Sequence, residues 1–363
     1  MSREPMILAI NPGSTSTKFA VFQGDKEIFK KSIKHQDVEL FNFSTVADQL
    51  DYRVELLQQT LKQNNIALDQ LNAVVGRGGF LRPLPSGTYL VDEDMVEDVK
   101  TARYGEHASN LGSMMAYQIA AKQQLPAFMV DPVVVDEFEE LARLSGIPEI
   151  ERKSNVHALN IKAVSRTIAK ELGKPYEDLN FVVAHLGGGI SVCAQKKGKI
   201  IDVNNANNEG PYSPERAGGL PACQLVKLCY SGAFTEKEIM TRLTKEGGFY
   251  AYLGTKDAME VETEAEQGNA RAKLVLDGMI YQISKEIGAM ATVLDGEVDR
   301  IILTGGLSHS SYIVNGIKRK VGYIAPQSVV PGEEELESLA LGALRVLRGQ
   351  EKAKNYRDSV LNR

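Results

Sequence analysis

Phe181-Val-Val-Ala-His-Leu-Gly-Gly-Gly-Ile-Ser-Val-Cys-Ala194 runs directly into Gln195-Lys-Lys-Gly-Lys-Ile-Ile-Asp202. Short apolar runs alternate here with turn formers, which predicts a strand, a three-glycine turn, a second strand, a Lys-Lys-Gly-Lys turn and a third strand. Three adjacent residues without Cβ atoms let backbone N–H groups come close to an anion, so one reading is a phosphate-binding hairpin. The other is a tight bend and nothing more. A dinucleotide fingerprint fails on context, because that motif opens a helix and these glycines lead into Ile190-Ser-Val-Cys193.

The same pattern opens the chain. Met6-Ile-Leu-Ala-Ile10 is an apolar run, Asn11-Pro-Gly-Ser-Thr-Ser-Thr-Lys18 turns it, and Phe19-Ala-Val-Phe22 returns. Laid side by side, Asn11 falls opposite His185, Gly13 opposite Gly187 and Thr17 opposite Ser191, which is the pattern of an internal repeat and hence of a duplicated domain, or else a chance match of two short hairpins. A length of 363 residues allows two cored domains, and 43% hydrophobic with 25% charged residues is ordinary for a globular chain. Forty-two basic against forty-seven acidic residues leaves −5, which supplies no footprint for nucleic acid or an anionic membrane. Any phosphate site must be local. Cys193, Cys223 and Cys229 form no C-x-x-C pair, so no zinc ribbon or disulfide framework is expected. No signal-peptide core follows Met1-Ser-Arg-Glu-Pro5, and a cytoplasmic location is expected.

Between the hairpins, Leu71-Asn-Ala-Val-Val75 predicts a strand delivering Gly76-Arg-Gly-Gly79. Arg77, boxed in by glycines that leave no side chain crowding its guanidinium, suits bidentate recognition of carboxylate or phosphate, or is a surface loop arginine. Tyr104-Gly-Glu-His-Ala-Ser-Asn110 is expected to open a helix that runs to about Gln123 and to place His107 at its start. Leu125 to Val130 predicts a strand ending in Asp131, either a ligand-crevice aspartate or a turn residue. A helix is expected from Ser154 to Leu172, with His157 in its first turn. Asn204 to Gly219 is too rich in Asn, Gly and Pro for regular structure, and its Arg216 resembles Arg77 in setting. Arg300-Ile-Ile-Leu-Thr-Gly-Gly-Leu-Ser308 predicts a strand running into a helix, an ordinary turn or a nucleotide-binding one. Pro331-Gly-Glu-Glu-Glu-Leu-Glu337 starts a last helix, where clustered acids suit either the helix dipole or a divalent cation.

Val183-Ala-His-Leu-Gly-Gly-Gly-Ile-Ser191, Ile10-Asn-Pro-Gly-Ser-Thr-Ser-Thr-Lys18, Leu303-Thr-Gly-Gly-Leu-Ser308 and Gln267-Gly-Asn-Ala-Arg-Ala272 together resemble the acetokinase family of carboxylate kinases, nearly end to end and in order. Gly76-Arg-Gly-Gly79 and the three-glycine hairpin are closer to the butyrate kinases of that family than to its acetate kinases. The resemblance implies duplicated actin-like, ribonuclease H-like α/β domains with mixed sheets flanked by helices and a nucleotide cleft between them. The implied domains are 1–153 plus 343–363, on the acyl-substrate side, and 154–342, on the nucleotide side. The implied catalytic residues are Arg77, Asp131, His157 and Arg216, with Asn11, Arg77 and His107 on the substrate. Ser14, Ser16, Lys18, His185, Gly187, Gly188, Gly189, Gly305, Gly306 and Ser308 would meet the nucleotide. Glu335, in preference to Glu334, and Asp131 would be linked to Mg2+. Asp257-Ala-Met259 departs from the acetate kinase pattern near the adenine.

The activity that the resemblance implies is ATP-dependent phosphorylation of a short-chain fatty acid, butanoate foremost, with ADP as product and Mg2+ as cofactor. The partners are then a small carboxylate and a nucleotide, with no nucleic acid and no membrane, and a homo-oligomer of at least two chains is expected. Branched or other short-chain acids are alternative acceptors. A non-catalytic nucleotide switch would need no paired arginines, and a sugar kinase would need a base such as Asp131.

Overall fold

The computed structural model describes residues 4–359. Its backbone divides into two compact units, one built from the chain up to Asp136 together with the chain from Glu334 onward, the other from Glu137–Glu333.

In the first unit β1 (Met6–Pro12), β2 (Ser16–Gln23) and β3 (Lys26–Lys34) form an antiparallel meander, and β4 (Ala73–Arg77), β5 (Thr88–Leu90), β6 (Ala127–Val130) and β12 (Lys354–Asn355) complete a seven-stranded sheet in the order β12-β5-β6-β4-β1-β2-β3. The second unit repeats the plan. There β7 (Asn180–Leu186), β8 (Ile190–Lys196) and β9 (Lys199–Val203) form the meander, and β10 (Arg300–Gly305) and β11 (Gln327–Pro331) extend it in parallel, giving β11-β10-β7-β8-β9. The shared order, two parallel strands beside a three-stranded meander, is the duplication read from the two hairpins.

The register refines that repeat. Asn11 pairs with Lys18, seven residues on, whereas His185 pairs with Ser191, six residues on. The first hairpin is thus one residue longer, and Lys18, not Thr17, occupies the place of Ser191.

β1, β4, β6 and β7 are almost wholly buried, as expected of apolar runs in strands covered on both faces. The helices covering them follow 3.6-residue spacing: Leu50–Gln63 buries Val54, Leu57 and Leu61, and Ala270–Val293 buries Val275, Leu276, Met279, Ile280 and Ile283. Gly76 explains one close approach. A Cβ there would overlap the Gly112 carbonyl on the helix Asn110–Gln123, so the glycine lets helix and sheet meet. The glycines around Arg77 therefore serve packing, against the expectation that they clear space for its guanidinium.

Candidate active site

Strand alternation decides where the first unit's polar groups point. Gly76 faces the helix Asn110–Gln123, so the next residue, Arg77, faces the opposite side of the sheet. Ile10 pairs with Gly76, which puts Asn11 on Arg77's side as well. The helix Glu335–Leu347 starts there. Arg77 Nη1 lies 2.7 Å from Glu335 Oε1, Asn11 Nδ2 donates to Glu335 Oε2 at 2.5 Å, and Arg77 Nη1 reaches Asn11 Oδ1 at 3.4 Å. The three side chains close a triangle at the ends of two central strands.

Asp131 follows β6, buried, with φ of +38°, a left-handed conformation that a non-glycine residue adopts at a cost. Its Oδ1 accepts from the Gly87 amide at 2.7 Å and its own amide donates to Gly87 O at 3.1 Å, a reciprocal pair that holds the strained backbone. His107 lies before its helix, which begins at Asn110. Gly105, with φ of +127°, breaks the turn that would have continued it. The His107 ring packs edge-on to Phe80, and its Nδ1 meets Ser109 Oγ at 2.8 Å. Desolvation along one side of this otherwise exposed ring, and then the Arg77 guanidinium, hold its pKa below the ordinary histidine value. Ser14 and Lys18 are exposed and Ser16 half-buried, in and just after the β1–β2 turn.

In the second unit His185, Ser191 and Thr304 share one face of the sheet, because each is register-paired with its neighbour. The helix Ala158–Glu171 meets that face. His185 Nδ1 lies 3.0 Å from Asn160 Oδ1, which also accepts from Thr304 Oγ1 at 3.2 Å. His157, at the helix N-cap, puts Nδ1 2.9 Å from Ser191 Oγ, and its ring stacks on His185 at 3.9 Å and 8°. His185 Nε2 lies 3.0 Å from Glu333 Oε1.

The three-glycine turn has a packing reason and not a conformational one. None of Gly187, Gly188 or Gly189 has positive φ, so the bend itself does not require them. A Cβ on Gly189, however, would overlap the guanidinium of Arg216. Arg216 is brought there by Ser213, whose Oγ donates to Gly188 O at 2.5 Å and accepts from the Arg216 amide at 3.1 Å. Arg216 Nε is buried and makes no hydrogen bond, and desolvation lowers the guanidinium pKa, opposed by Glu215. Gly305 ends β10, Gly306 opens the single 3-10 turn Gly306–His309, and Ser308, buried, donates to Gly305 O at 2.6 Å within that turn.

Asn160, Ser191 and Glu333 are contacts that sequence reasoning missed. Asn160 was findable, three residues after His157 on a helix, where i and i+3 side chains are neighbours. Glu333 was not: three consecutive glutamates look alike in sequence but diverge in space. Glu333 meets His185, Glu334 lies at the surface 3.6 Å from Lys30, and Glu335 joins Asn11 and Arg77.

Among the described residues no three His, Cys, Asp or Glu side chains gather as a metal cage. Mg2+ usually keeps water and substrate phosphate in its shell and takes one or two carboxylates from the protein. Glu335, with both oxygens fixed by Arg77 and Asn11, and Asp131 offer the hard oxygen donors that suit it.

A family model described as the acetokinase family matches residues 148–322. Over 352 residues, 97% of this chain and 99% of the other, the sequence is 51% identical to butyrate kinase 2 of Clostridium acetobutylicum. Among solved structures the chain is similar to Porphyromonas gingivalis acetate kinase, with a TM-score of 0.80 at 18% identity over 94% of this chain and 100% of that one. It is also similar to a propionate kinase from Francisella tularensis subsp. tularensis, with a TM-score of 0.76 at 21% identity over 93% and 98%. At those identities the structures speak for the fold, two mixed sheets flanked by helices in a duplicated plan, while the sequence match speaks for descent: the chain belongs to the acetokinase family.

Proposed function

We propose that this protein transfers the γ-phosphoryl group of ATP to the carboxylate of a short-chain fatty acid, butanoate foremost, giving the acyl phosphate and ADP. One observation carries the reading. Arg216, desolvated over the three-glycine turn with a buried Nε that bonds to nothing, is a cation prepared for an anion.

The chemistry suits that preparation. A carboxylic acid is ionised at neutral pH, so one of its oxygens attacks the γ-phosphorus with no proton to remove. The bond from that phosphorus to the β-bridging oxygen breaks, and ADP leaves with the electron pair. The difficulty is bringing anion to anion, and the charge of a loose transition state lies on the equatorial oxygens. Arg216 and His157 stabilise that charge. Arg77 receives the carboxylate: only its Nη1 is engaged among the described residues, which leaves Nε and Nη2 as a fork. Asn11 and His107 border the acceptor; His185, Gly187 to Gly189, Ser14, Ser16, Lys18 and the Gly305–Ser308 turn serve the nucleotide. Mg2+ held by Glu335 and Asp131, through its own waters, would neutralise phosphate charge. Cytoplasmic action and self-association belong to this reading too.

Acyl-hydroxamate formation with ATP, Mg2+ and hydroxylamine, compared across acetate, propionate, butanoate, isobutanoate and valerate, tests it. The expected result is a kcat/KM maximum at four carbons. No hydroxamate with any acid would sink it, and ADP release with glycerol or glucose would point to a hydroxyl acceptor instead.

A further inference from the structure

The first unit holds a buried cation to which the proposed reaction gives no role. Arg53, on the helix Leu50–Gln63, is 1% exposed and heads the fully buried side chains by volume. Buried charges are ordinarily paired with an opposite charge. Arg53 instead spends its donors on neutral oxygens. Nε and Nη2 donate to Gln49 Oε1 at 3.0 and 2.8 Å, Nη1 to Gly13 O at 2.9 Å, Ser16 O at 3.2 Å and Thr17 Oγ1 at 3.1 Å, and Nη2 to Ser14 O at 3.2 Å. Four of the five acceptors belong to one short stretch, residues 13–17, the longer of the two hairpin turns.

Peptide geometry carries these contacts through to the other side of the turn. In a planar trans peptide the carbonyl of one residue and the amide of the next point in opposite directions. With the Gly13 and Ser14 carbonyls drawn inward to Arg53, the amides of Ser14 and Thr15 face outward. Both residues are exposed, and neither amide donates to a backbone carbonyl among the described residues. Gly13 N closes the turn on Ser16 O at 2.7 Å, and the Thr15 carbonyl is taken by the His35 amide at 2.9 Å. Two adjacent outward N–H groups form an anion-binding turn. A cation on their carbonyls polarises both peptides in the sense that strengthens the donors.

We infer that Arg53 is the positioning residue of the β1–β2 phosphate turn, fixing from behind the peptide planes whose Ser14 and Thr15 amides receive a nucleotide phosphate. This rests on the reading that this turn serves the nucleotide.

The test is equilibrium binding of MgATP with no acceptor present, which is independent of turnover. Arg53→Met should weaken MgATP at least about tenfold, the scale of one charge-assisted hydrogen bond network lost. Arg53→Ala should lose at least as much, and methylguanidinium, which can occupy the space that alanine leaves, should restore most of that variant's affinity. Arg53→Lys keeps a charge but cannot span four loop acceptors, and should bind between Arg53→Met and the wild type. Wild-type affinity in Arg53→Met, or a loss in Arg53→Ala that methylguanidinium leaves unchanged, would overturn the inference and make Arg53 a folding residue only. Should Arg53→Met not fold, Gln49→Leu removes the guanidinium's anchor outside the loop. Weaker MgATP binding by that variant supports positioning, and unchanged binding refutes it. If the wild type forms no hydroxamate yet binds MgATP in an Arg53-dependent way, the carboxylate reading fails and this one stands.

Discussion

At the scale of single residues, the placing of Arg216 in the second unit depends on one missing methyl group. Gly189 has no backbone need to be glycine; what it supplies is room for the Arg216 guanidinium. Gly189→Ala should therefore act through Arg216, lowering kcat/KM by about 10² to 10³, the usual loss when one transition-state donor is misplaced. Because they act through one group, Gly189→Ala with Arg216→Ala should cost little more than Arg216→Ala alone, a double-mutant cycle read in the hydroxamate assay. Additive losses would show that the two residues work separately. Both were candidates in the sequence, because a run of three glycines and an arginine in an Asn-, Gly- and Pro-rich loop are chemically pointed. Their reasons were not legible there. The glycines around Arg77 looked like clearance for a side chain and are clearance for Gly112, Asn110, Met129 and Pro132, and no local pattern reports a contact made across tens of residues.

At the scale of elements, strands were legible where apolar runs were long and both faces were covered, as in β1 and β7, and not where they were short or half-buried. Thr88–Leu90 and Gln327–Pro331 carry too few apolar residues to stand out, and they are strands because neighbours offer them an edge. Helix starts erred for a reason that bears on function. Ser154 has the chemistry of an N-cap, yet the helix begins at Ala158 after His157, whose ring is committed to Ser191 and not to capping. Behind the first hairpin, the meeting of the helix Leu50–Gln63 with the chain just after β3 has a measurable signature in His35, whose ring centroid lies 5.6 Å from that of Tyr52. This ring is buried, Nε2 meets Thr17 Oγ1 at 2.8 Å, and Nδ1 is buried with no partner. Burial, then the Arg53 charge, lowers its pKa from 6.5 to about 4, while Glu39 opposes them. The folded state thus keeps His35 neutral while the unfolded chain takes up its proton near 6.5, so the stabilisation is whole above that pH and is lost as pH falls towards about 4. The loss is at most about 3 kcal/mol. Urea midpoints should fall more steeply between about pH 7.5 and about pH 5 for the wild type than for His35→Gln. Parallel slopes would show that His35 contributes nothing to the acid sensitivity.

At the scale of the whole molecule, the two units are built from the chain in different ways. Glu137–Glu333 is continuous, with its own core of β7, β8 and β10 against Ala270–Val293 and Ser311–Val321. The first unit is not continuous, because its sheet is covered on the Arg77 side by the helix Glu335–Leu347, which arrives after the second unit is complete. That helix buries Leu336, Leu339, Ala340, Ala343 and Leu344, and Gly342 sits so close to β6 that a Cβ would overlap Val130. Farther on, Tyr356 is buried and donates to Asp98 at 2.8 Å. At about 2 kcal/mol for each of the large side chains Leu336, Leu339, Leu344 and Tyr356 removed from the core, losing this segment costs roughly 8 kcal/mol, comparable with the whole stability of an ordinary domain. A chain ending at Glu333 should therefore keep a protected second unit while the amides of β1, β4 and β6 exchange at near-unfolded rates, as read by hydrogen exchange and mass spectrometry. Supplying residues 334–363 as a separate peptide should restore protection to those strands alone. Protection of β1 and β4 in the truncated chain would mean that the first unit's core closes without its returning helix. In that case the Glu335 contacts with Asn11 and Arg77 would be an addition to a finished domain and not part of what folds it.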